Sequence, residues 1–134
     1  MRELTDHKSN AANGELKISV LDEPGQGGAS HLYSIEGFNT EKNASDPFVE
    51  RYGKPSDHTT ILFQNGPIKE FGVNGVTHEA LLAIIIDRLR SFQAGPYACR
   101  ENEFALVYCE SALRVFLART NKRLARGVEG TNQV

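Results

Sequence analysis

The first half of the chain alternates apolar and polar residues with the period of β-strands. Residues 15–21 (ELKISVL) carry an apolar side chain at every second position, as a half-buried strand does. Residues 31–38 (HLYSIEGF) predict a second strand, which the glycine at position 37 weakens. Residues 59–64 (TTILFQ) predict a third strand, and residues 68–71 a short fourth. Turn-forming residues separate these runs, so this half predicts a small antiparallel β-core.

The second half of the chain predicts two helices. Residues 78–93 contain neither Gly nor Pro, and their apolar side chains cover most of the helix circumference. Thr77 is a suitable N-cap because its hydroxyl can accept a backbone N–H, and Gly95-Pro96 ends the helix. A second helix runs from near Arg100 to about Arg126. The short connection predicts an antiparallel helical hairpin, and the apolar first helix also indicates a subunit interface.

Together these elements predict the α+β class, with an N-terminal antiparallel β-core followed by a C-terminal antiparallel helical hairpin. A chain of 134 residues has room for a single domain. Within residues 1–134 we expect a flexible N-terminus at 1–14, the β-core at 15–76, the hairpin at 77–127 and a C-terminal tail at 128–134. The polar stretches 22–30 and 39–58 are expected to be surface loops whose role is open.

The composition excludes several classes of protein. Hydrophobic residues make up 40% of the chain and charged residues 24%, which is close to the globular average and unlike a disordered chain. No apolar stretch reaches about 18 residues, so no membrane span is predicted. Two cysteines and no visible secretion signal favour a cytosolic protein with reduced thiols.

The charge is distributed unevenly. The net charge is −2, but residues 78–126 hold 8 Lys or Arg against 5 Asp or Glu, and all but one of the basic residues there are arginine. A modest positive face on an acidic protein argues against binding to a nucleic-acid polymer, which requires a strongly basic surface. It permits a small anionic ligand, since arginine binds phosphate with two hydrogen bonds.

No catalytic or metal constellation is predicted. The histidines are far apart in sequence, although His31 and His58 can pair across the sheet if they are more than ordinary strand or loop residues. The glycines at 25–28 fit a hairpin loop better than a dinucleotide-binding loop, because no helix follows them. Cys99 and Cys109 are expected to be core thiols, since no histidine near them in sequence would activate a nucleophile.

Three arginines share one side of the second helix. Arg119, Arg123 and Arg126 are spaced i, i+4 and i+7, and we call them the arginine stripe. Two interpretations stand beside each other. The stripe is a solvated helix end whose cations complement the helix dipole, or it is a binding surface for phosphates.

The hairpin geometry separates this stripe from two other residues of interest. Phe92 and Asn102 lie at the tip where the two helices meet, whereas Arg119 follows Asn102 by about 25 Å along the helix. A small ligand cannot touch both groups within one chain. Two hairpins packed antiparallel would bring the tip of one to the stripe of the other, giving two identical composite pockets in a two-fold dimer.

The chain resembles the phage anti-defence sponge family, which includes the first type of Thoeris anti-defence protein and the anti-CBASS sponges. The resemblance rests most strongly on residues 59–134. The motifs that carry it are FQNGPIKEFGVNG at 63–75, EALLA at 79–83, DRL at 87–89, FQAGPYACREN at 92–102, RT at 119–120 and RGVEGT at 126–131.

This resemblance implies a protein that binds immune signalling nucleotides without degrading them. The expected ligands are small cyclic nucleotide signals: cyclic ADP-ribose isomers such as glycocyclic ADP-ribose, and for some members cyclic di- or trinucleotides. The implied assembly is a dimer or a trimer of dimers. The family's ligand contacts fall on Phe92, Asn102, Arg119 and Arg123. Arg126, with Glu129 and Thr131, belongs to the closing motif and is a further expected lining of the pocket.

The resemblance also implies no enzyme activity, no catalytic residue, no metal and no cofactor. The expected location is the host cytoplasm during phage infection, with no nucleic-acid polymer and no membrane as partner. Two rivals stay open. An enzyme that cleaves the signal would consume its ligand. A structural or protein-interaction module would use the hairpin for oligomeric assembly only and would tolerate loss of Arg119.

Overall fold

The computed structural model describes residues 1–127 and 130–131. The chain forms two compact units, Met1–Asn65 and the residues from Gly66 onward. The sheet lies in the first unit and the two long helices in the second, while the domain bounds expected from the sequence stay a prediction. Glu129 and the rest of the expected tail lie outside the described residues, apart from Gly130 and Thr131.

The first unit contains a four-stranded antiparallel sheet whose strands lie side by side in chain order. The strands are β1 (Arg2–Leu4), β2 (Lys17–Val20), β3 (Leu32–Glu36) and β4 (His58–Leu62). The last three confirm the strands predicted at 15–21, 31–38 and 59–64. β1 is an addition, because the sequence assigned residues 1–14 to a flexible N-terminus, yet β1 pairs with β2 along its whole length. A one-turn helix, α1 (Ala11–Gly14), lies between these two strands.

The centre of the sheet carries the core of the first unit. β2 lies between β1 and β3, and Val20 near its end is only 1% exposed. Ile18 faces Leu4 on one neighbouring strand and Ile35 on the other. These apolar cross-strand pairs support the register, because a shift by one residue would move their side chains to opposite faces of the sheet.

The loop after β2 is closed by one carboxylate. Asp22 accepts the backbone N–H groups of His31 and Leu32 at 2.9–3.0 Å, and Ser30 donates its hydroxyl to the Asp22 carbonyl at 3.0 Å. The Leu32 N–H is the largest of the influences that lower the pKa of Asp22. The buried His31 ring lies beside the same carboxylate, with Nδ1 3.6 Å from Oδ2.

The pairing of His31 with His58 that the sequence left open is wrong. His58 lies opposite Glu36 in the β3–β4 register, while the His31 carbonyl accepts from Phe63 beyond the other end of β4. The partner of His58 is the neighbouring Asp57, whose Oδ1 is 2.8 Å from Nδ1. Sequence distance alone could not distinguish the two ends of a strand pair.

The excursion at residues 39–58 is ordered by side-chain hydrogen bonds. The Thr40 hydroxyl donates to Asp46 and accepts the Ser56 backbone N–H at 2.7 Å. A short helix, α2 (Phe48–Tyr52), lies within this loop and ends at Gly53. The expected surface loop therefore has internal structure that returns the chain to β4.

The second unit is helical. It contains α3 (Ile68–Phe71), α4 (His78–Gln93) and α5 (Arg100–Ala125). Thr77 caps α4 as predicted, since its hydroxyl accepts the Ala80 N–H at 3.1 Å. The last two helices pack as the predicted hairpin, which together with the sheet confirms the α+β class. None of the described helices combines the length and the apolar character that crossing a membrane requires.

The short fourth strand predicted at residues 68–71 is wrong, because these residues form α3. Pro67 precedes them and cannot donate a backbone N–H to a sheet. The Phe71 N–H reaches back to the Pro67 carbonyl at 2.9 Å, and the Gly72 N–H to the Ile68 carbonyl at 2.8 Å. Local bonds of a single helical turn thus replace strand pairing.

Candidate functional site

The hairpin tip, residues 92–102, holds two of the predicted ligand residues at one end of the second unit. Phe92 lies in the last turn of α4 and is 38% exposed. Asn102 lies in the first turn of α5 and is half-buried. Both residues lie at helix ends, so an aromatic and an amide side chain belong to the same end of the hairpin.

Phe92 has two neighbours that sequence reasoning did not assign. The Arg88 guanidinium carbon lies 5.6 Å from the centre of the Phe92 ring, a cation–π geometry. The Tyr97 ring stands nearly perpendicular to it, with centroids 6.4 Å apart. The spacing i, i+4 from Arg88 to Phe92 could have indicated the first contact. Tyr97 lies in the turn, where no periodicity identifies neighbours.

Cys99 is not the core thiol that the sequence predicted. It is exposed, because it is the N-cap of α5, and its sulfur accepts the Asn102 backbone N–H at 3.4 Å. Cys109 is half-buried within α5. The Cys99 side chain therefore contributes to the start of the helix that carries Asn102.

The arginine stripe lies at the other end of α5, and its members differ in environment. Arg119 and Arg126 are exposed. Arg123 is only 9% exposed, and its Nη2 donates to the Thr131 carbonyl at 3.2 Å. The chain turns back after α5 at Gly127, where φ is +73°, and this return brings Thr131 to the helix. Arg123 is thus held against its own chain, which helical spacing did not predict.

The tip and the stripe do not meet within one chain. α5 is continuous from Arg100 to Ala125, so about 25 Å of helix separates Asn102 from Arg119. The structure places Phe92 and Asn102 at one end of the hairpin, and Arg119 and Arg123 toward the other end of α5. This agrees with the separation expected from the sequence.

Many apolar side chains of the hairpin face outward. Ile86 is the one apolar residue of α4 and α5 that is fully buried in the described part of the chain. Eight are more than 40% exposed on the two helices: Ile84, Ile85, Phe104, Val107, Tyr108, Val115, Leu117 and Leu124. Extended apolar surface of this kind marks interaction sites in soluble proteins.

A comparison with known protein families shows to which family the chain belongs. The hairpin domain of the Acb2/Tad1 family matches residues 55–121, which is half of the chain. The chain belongs to the Acb2/Tad1 hairpin family. The matched residues include α4 and most of α5, and with them Phe92, Asn102 and Arg119. Arg123 and Arg126 lie beyond the matched range.

A curated relative supports the same family. The chain is 47% identical over 74 residues to Thoeris anti-defense 1 of Bacillus phage SBSphiJ7. The alignment covers 55% of this chain and 52% of that relative. The chain therefore spans about half the length of the curated relative that it matches.

The described residues hold no cluster of three or more His, Cys, Asp or Glu side chains arranged to bind a metal ion. Three aspartates have a lowered pKa, namely Asp22, Asp46 and Asp57. For Asp46 and Asp57 the largest cause is a side-chain hydrogen bond, from Thr40 and His58 respectively. All three belong to the first unit, whereas the predicted ligand residues belong to the second.

Proposed function

We propose that this protein is a non-catalytic sponge that binds and sequesters cyclic nucleotide immune signals. The proposed ligands are cyclic ADP-ribose isomers such as glycocyclic ADP-ribose, and cyclic di- or trinucleotides are a further class. Sequestration would inhibit bacterial anti-phage defence of the Thoeris or CBASS type in the host cytoplasm. One observation carries the proposal: a hairpin of the Acb2/Tad1 family presents an aromatic and an amide at one end and arginines at the other.

The proposed pocket is built by two chains. Two hairpins packed antiparallel would place Phe92 and Asn102 of one chain beside Arg119 and Arg123 of the other. The exposed apolar side chains of α4 and α5 support such packing, because their burial would supply the driving force for association. A two-fold dimer of this kind has two equivalent pockets, and the proposed complete assembly is a trimer of dimers.

Within this pocket we assign the base of the ligand to Phe92 and its phosphates to the arginines. Arg88 lies over the Phe92 ring, so a base would stack on the face that Arg88 leaves open. Arg119 is exposed and able to reach a neighbouring chain. The Thr131 carbonyl holds the Arg123 guanidinium, which restricts its rotamers and lowers the entropy lost when it binds phosphate.

A sponge requires tight binding and slow release, with no bond broken in the ligand. The proposed site residues are an aromatic, an amide and arginines, which bind and orient a nucleotide. Arginine stays protonated and is a poor proton donor or acceptor at neutral pH. This supports sequestration over cleavage of the signal.

An assembly module is the second candidate function. The exposed apolar residues of the hairpin favour it, because they would promote association whether or not a nucleotide binds. The two candidate functions predict different effects of a substitution in the arginine stripe. An assembly module tolerates Arg119→Ala, whereas a sponge loses ligand affinity.

Calorimetric titration with glycocyclic ADP-ribose, and separately with a cyclic trinucleotide, tests the proposal. The complex is then heat-denatured and the released nucleotide analysed by chromatography. Tight binding with intact ligand recovered supports a sponge. Absence of binding to both classes refutes it in favour of the assembly module, and recovery of a cleaved product would show an enzyme.

A further inference from the structure

The turn between α4 and α5 is bridged by a side chain. The Cys99 backbone N–H donates to the Gln93 side-chain oxygen Oε1 at 3.0 Å. Gln93 is the last residue of α4 and Cys99 is the N-cap of α5. This bond therefore joins the end of one helix directly to the start of the next.

Two further hydrogen bonds connect Cys99 to the first turn of α5. Its sulfur accepts the Asn102 N–H at 3.4 Å, and its carbonyl accepts the Glu103 N–H at 3.1 Å. Gln93 follows Phe92 directly in the chain. Phe92 and Asn102, two of the residues that the proposed function places in the pocket, are thus linked through Gln93 and Cys99: the Cys99 N–H donates to Gln93, and the Asn102 N–H donates to the Cys99 sulfur.

The rest of the turn is held mainly by local backbone bonds. The Gly95 N–H donates to the Phe92 carbonyl at 3.2 Å and the Ala98 N–H to the Gly95 carbonyl at 3.3 Å. Pro96 and Tyr97 are exposed. These contacts shape the turn itself, but they do not reach α5. The hydrogen bond from the Cys99 N–H to Gln93 does reach the N-cap of α5. It therefore defines where the first turn of α5 begins relative to Phe92.

We propose that Gln93 is a positioning residue of the nucleotide site, acting through Cys99 on Asn102. This inference rests on the proposed function and deepens it. Gln93 does not touch the ligand in the proposed pocket. It holds the tip in the arrangement that binds, so the ligand does not have to order the turn on arrival.

Four variants test the role of this bridge. Gln93→Met keeps the side-chain length but removes the oxygen, and Cys99→Ala removes the sulfur. Cys99→Ser is the conservative variant, because serine is a favoured N-cap with a hydroxyl that accepts a backbone N–H. Glu110→Gln is the stability control, since it weakens the ion pair with Arg90 at 2.8 Å between the helices and leaves the tip bonds intact.

The measurements are the dissociation rate of glycocyclic ADP-ribose and backbone hydrogen exchange at Cys99 and Asn102 without ligand. We expect Gln93→Met and Cys99→Ala to release ligand about tenfold faster. Gln93→Met should speed exchange at Cys99 and Asn102, and Cys99→Ala at Asn102. Cys99→Ser and Glu110→Gln should release ligand within about twofold of the wild-type rate.

The outcomes separate this inference from the proposed function. If wild-type protein binds and Gln93→Met releases ligand no faster than Glu110→Gln, the positioning role is refuted and the sponge stands. The role is equally refuted if Cys99→Ser is as impaired as Cys99→Ala, or if exchange is unchanged in Gln93→Met. If the wild-type protein binds no nucleotide, the proposed function fails and the positioning role fails with it.

Discussion

Arg119 and Arg123 differ in their surroundings although one helical turn separates them. Arg119 is exposed, whereas Arg123 is buried and donates to the Thr131 carbonyl. Both are assigned to ligand phosphates, but only Arg119 can be removed without disturbing a contact with Thr131. Arg119 is therefore the cleaner residue with which to test the pocket.

Arg119→Ala is expected to weaken binding of glycocyclic ADP-ribose on the order of 30-fold or more, because it leaves a ligand phosphate without its charged partner. Titration calorimetry measures the change in affinity. Arg114→Ala is the matched control, since Arg114 is exposed on the same helix and its guanidinium donates to Ser111 at 3.1 Å. Equal affinities of the two variants would contradict the assignment.

Asp22 makes the stability of the folded first unit depend on pH. Backbone N–H groups, that of Leu32 foremost, hold the Asp22 pKa below its usual value, so the folded state favours the ionised form. This stabilisation is fully present above the usual pKa of about 3.9. It is lost as pH falls through the lowered folded-state value.

Thermal unfolding of wild type and Asp22→Ala between neutral and strongly acidic pH tests this. We expect the variant to have the lower melting temperature at neutral pH, with a difference that shrinks below about pH 4. The remaining carboxyl groups are common to both proteins, so their effects cancel in the comparison. A difference in melting temperature that stays constant down to the lowest pH would show that the charge of the Asp22 carboxylate does not stabilise the folded state.

At the scale of elements, β3 ends at Glu36 because of the glycine that follows it. Gly37 has φ +101°, and a Cβ on it would lie 1.8 Å from the Glu15 carbonyl oxygen. The backbone preceding β2 therefore approaches this glycine too closely for any side chain. The glycine that weakens the strand pattern in the sequence is the residue that permits this approach.

Gly37→Ala is expected to destabilise the protein by about 3 kcal/mol or more, because the chain must move as well as accept a strained φ. Gly53→Ala is the control. Gly53 has a φ of +75°, but a Cβ added to it would meet no atom within 4 Å. The Gly53→Ala substitution therefore has only the conformational cost of about 1–2 kcal/mol. Chemical denaturation measures both. A smaller loss for Gly37→Ala than for Gly53→Ala would contradict the close approach.

The elements that the sequence predicted are those with local signals. α4 and α5 have their own caps and long apolar patterns, so their bounds follow from neighbouring residues. β1 has three residues and no periodicity, and it forms because β2 offers an edge. The burial of Arg123 depends on the chain returning at Thr131, and the tip contacts of Tyr97 depend on the turn geometry. Contacts that depend on how the chain turns after a helix leave no periodic pattern in the sequence.

The hairpin leaves apolar surface that association with another chain would cover. Tyr108 is 71% exposed and Val115 69%. We expect the ligand-free protein to scatter light as a dimer or a larger assembly, and Val115→Glu to shift it toward monomer, because burying an unpaired carboxylate is costly. Tyr52→Glu is the control, since Tyr52 is 59% exposed in the first unit. A monomeric wild type at about 100 μM would contradict a stable interface of ordinary size.

Each proposed pocket takes its tip from one chain and its arginines from another. A pure preparation of Phe92→Ala or of Arg119→Ala should bind glycocyclic ADP-ribose more weakly than the wild type, by about 30-fold or more for Arg119→Ala. In a two-fold dimer that contains one copy of each, one pocket carries both substitutions and the other carries neither.

The most direct measurement is to unfold the two variants together at equal concentrations, refold them, and titrate the mixture with glycocyclic ADP-ribose. Random pairing predicts that about one quarter of all pockets regain wild-type affinity. A mixture that binds no better than its two components would contradict the composite pocket.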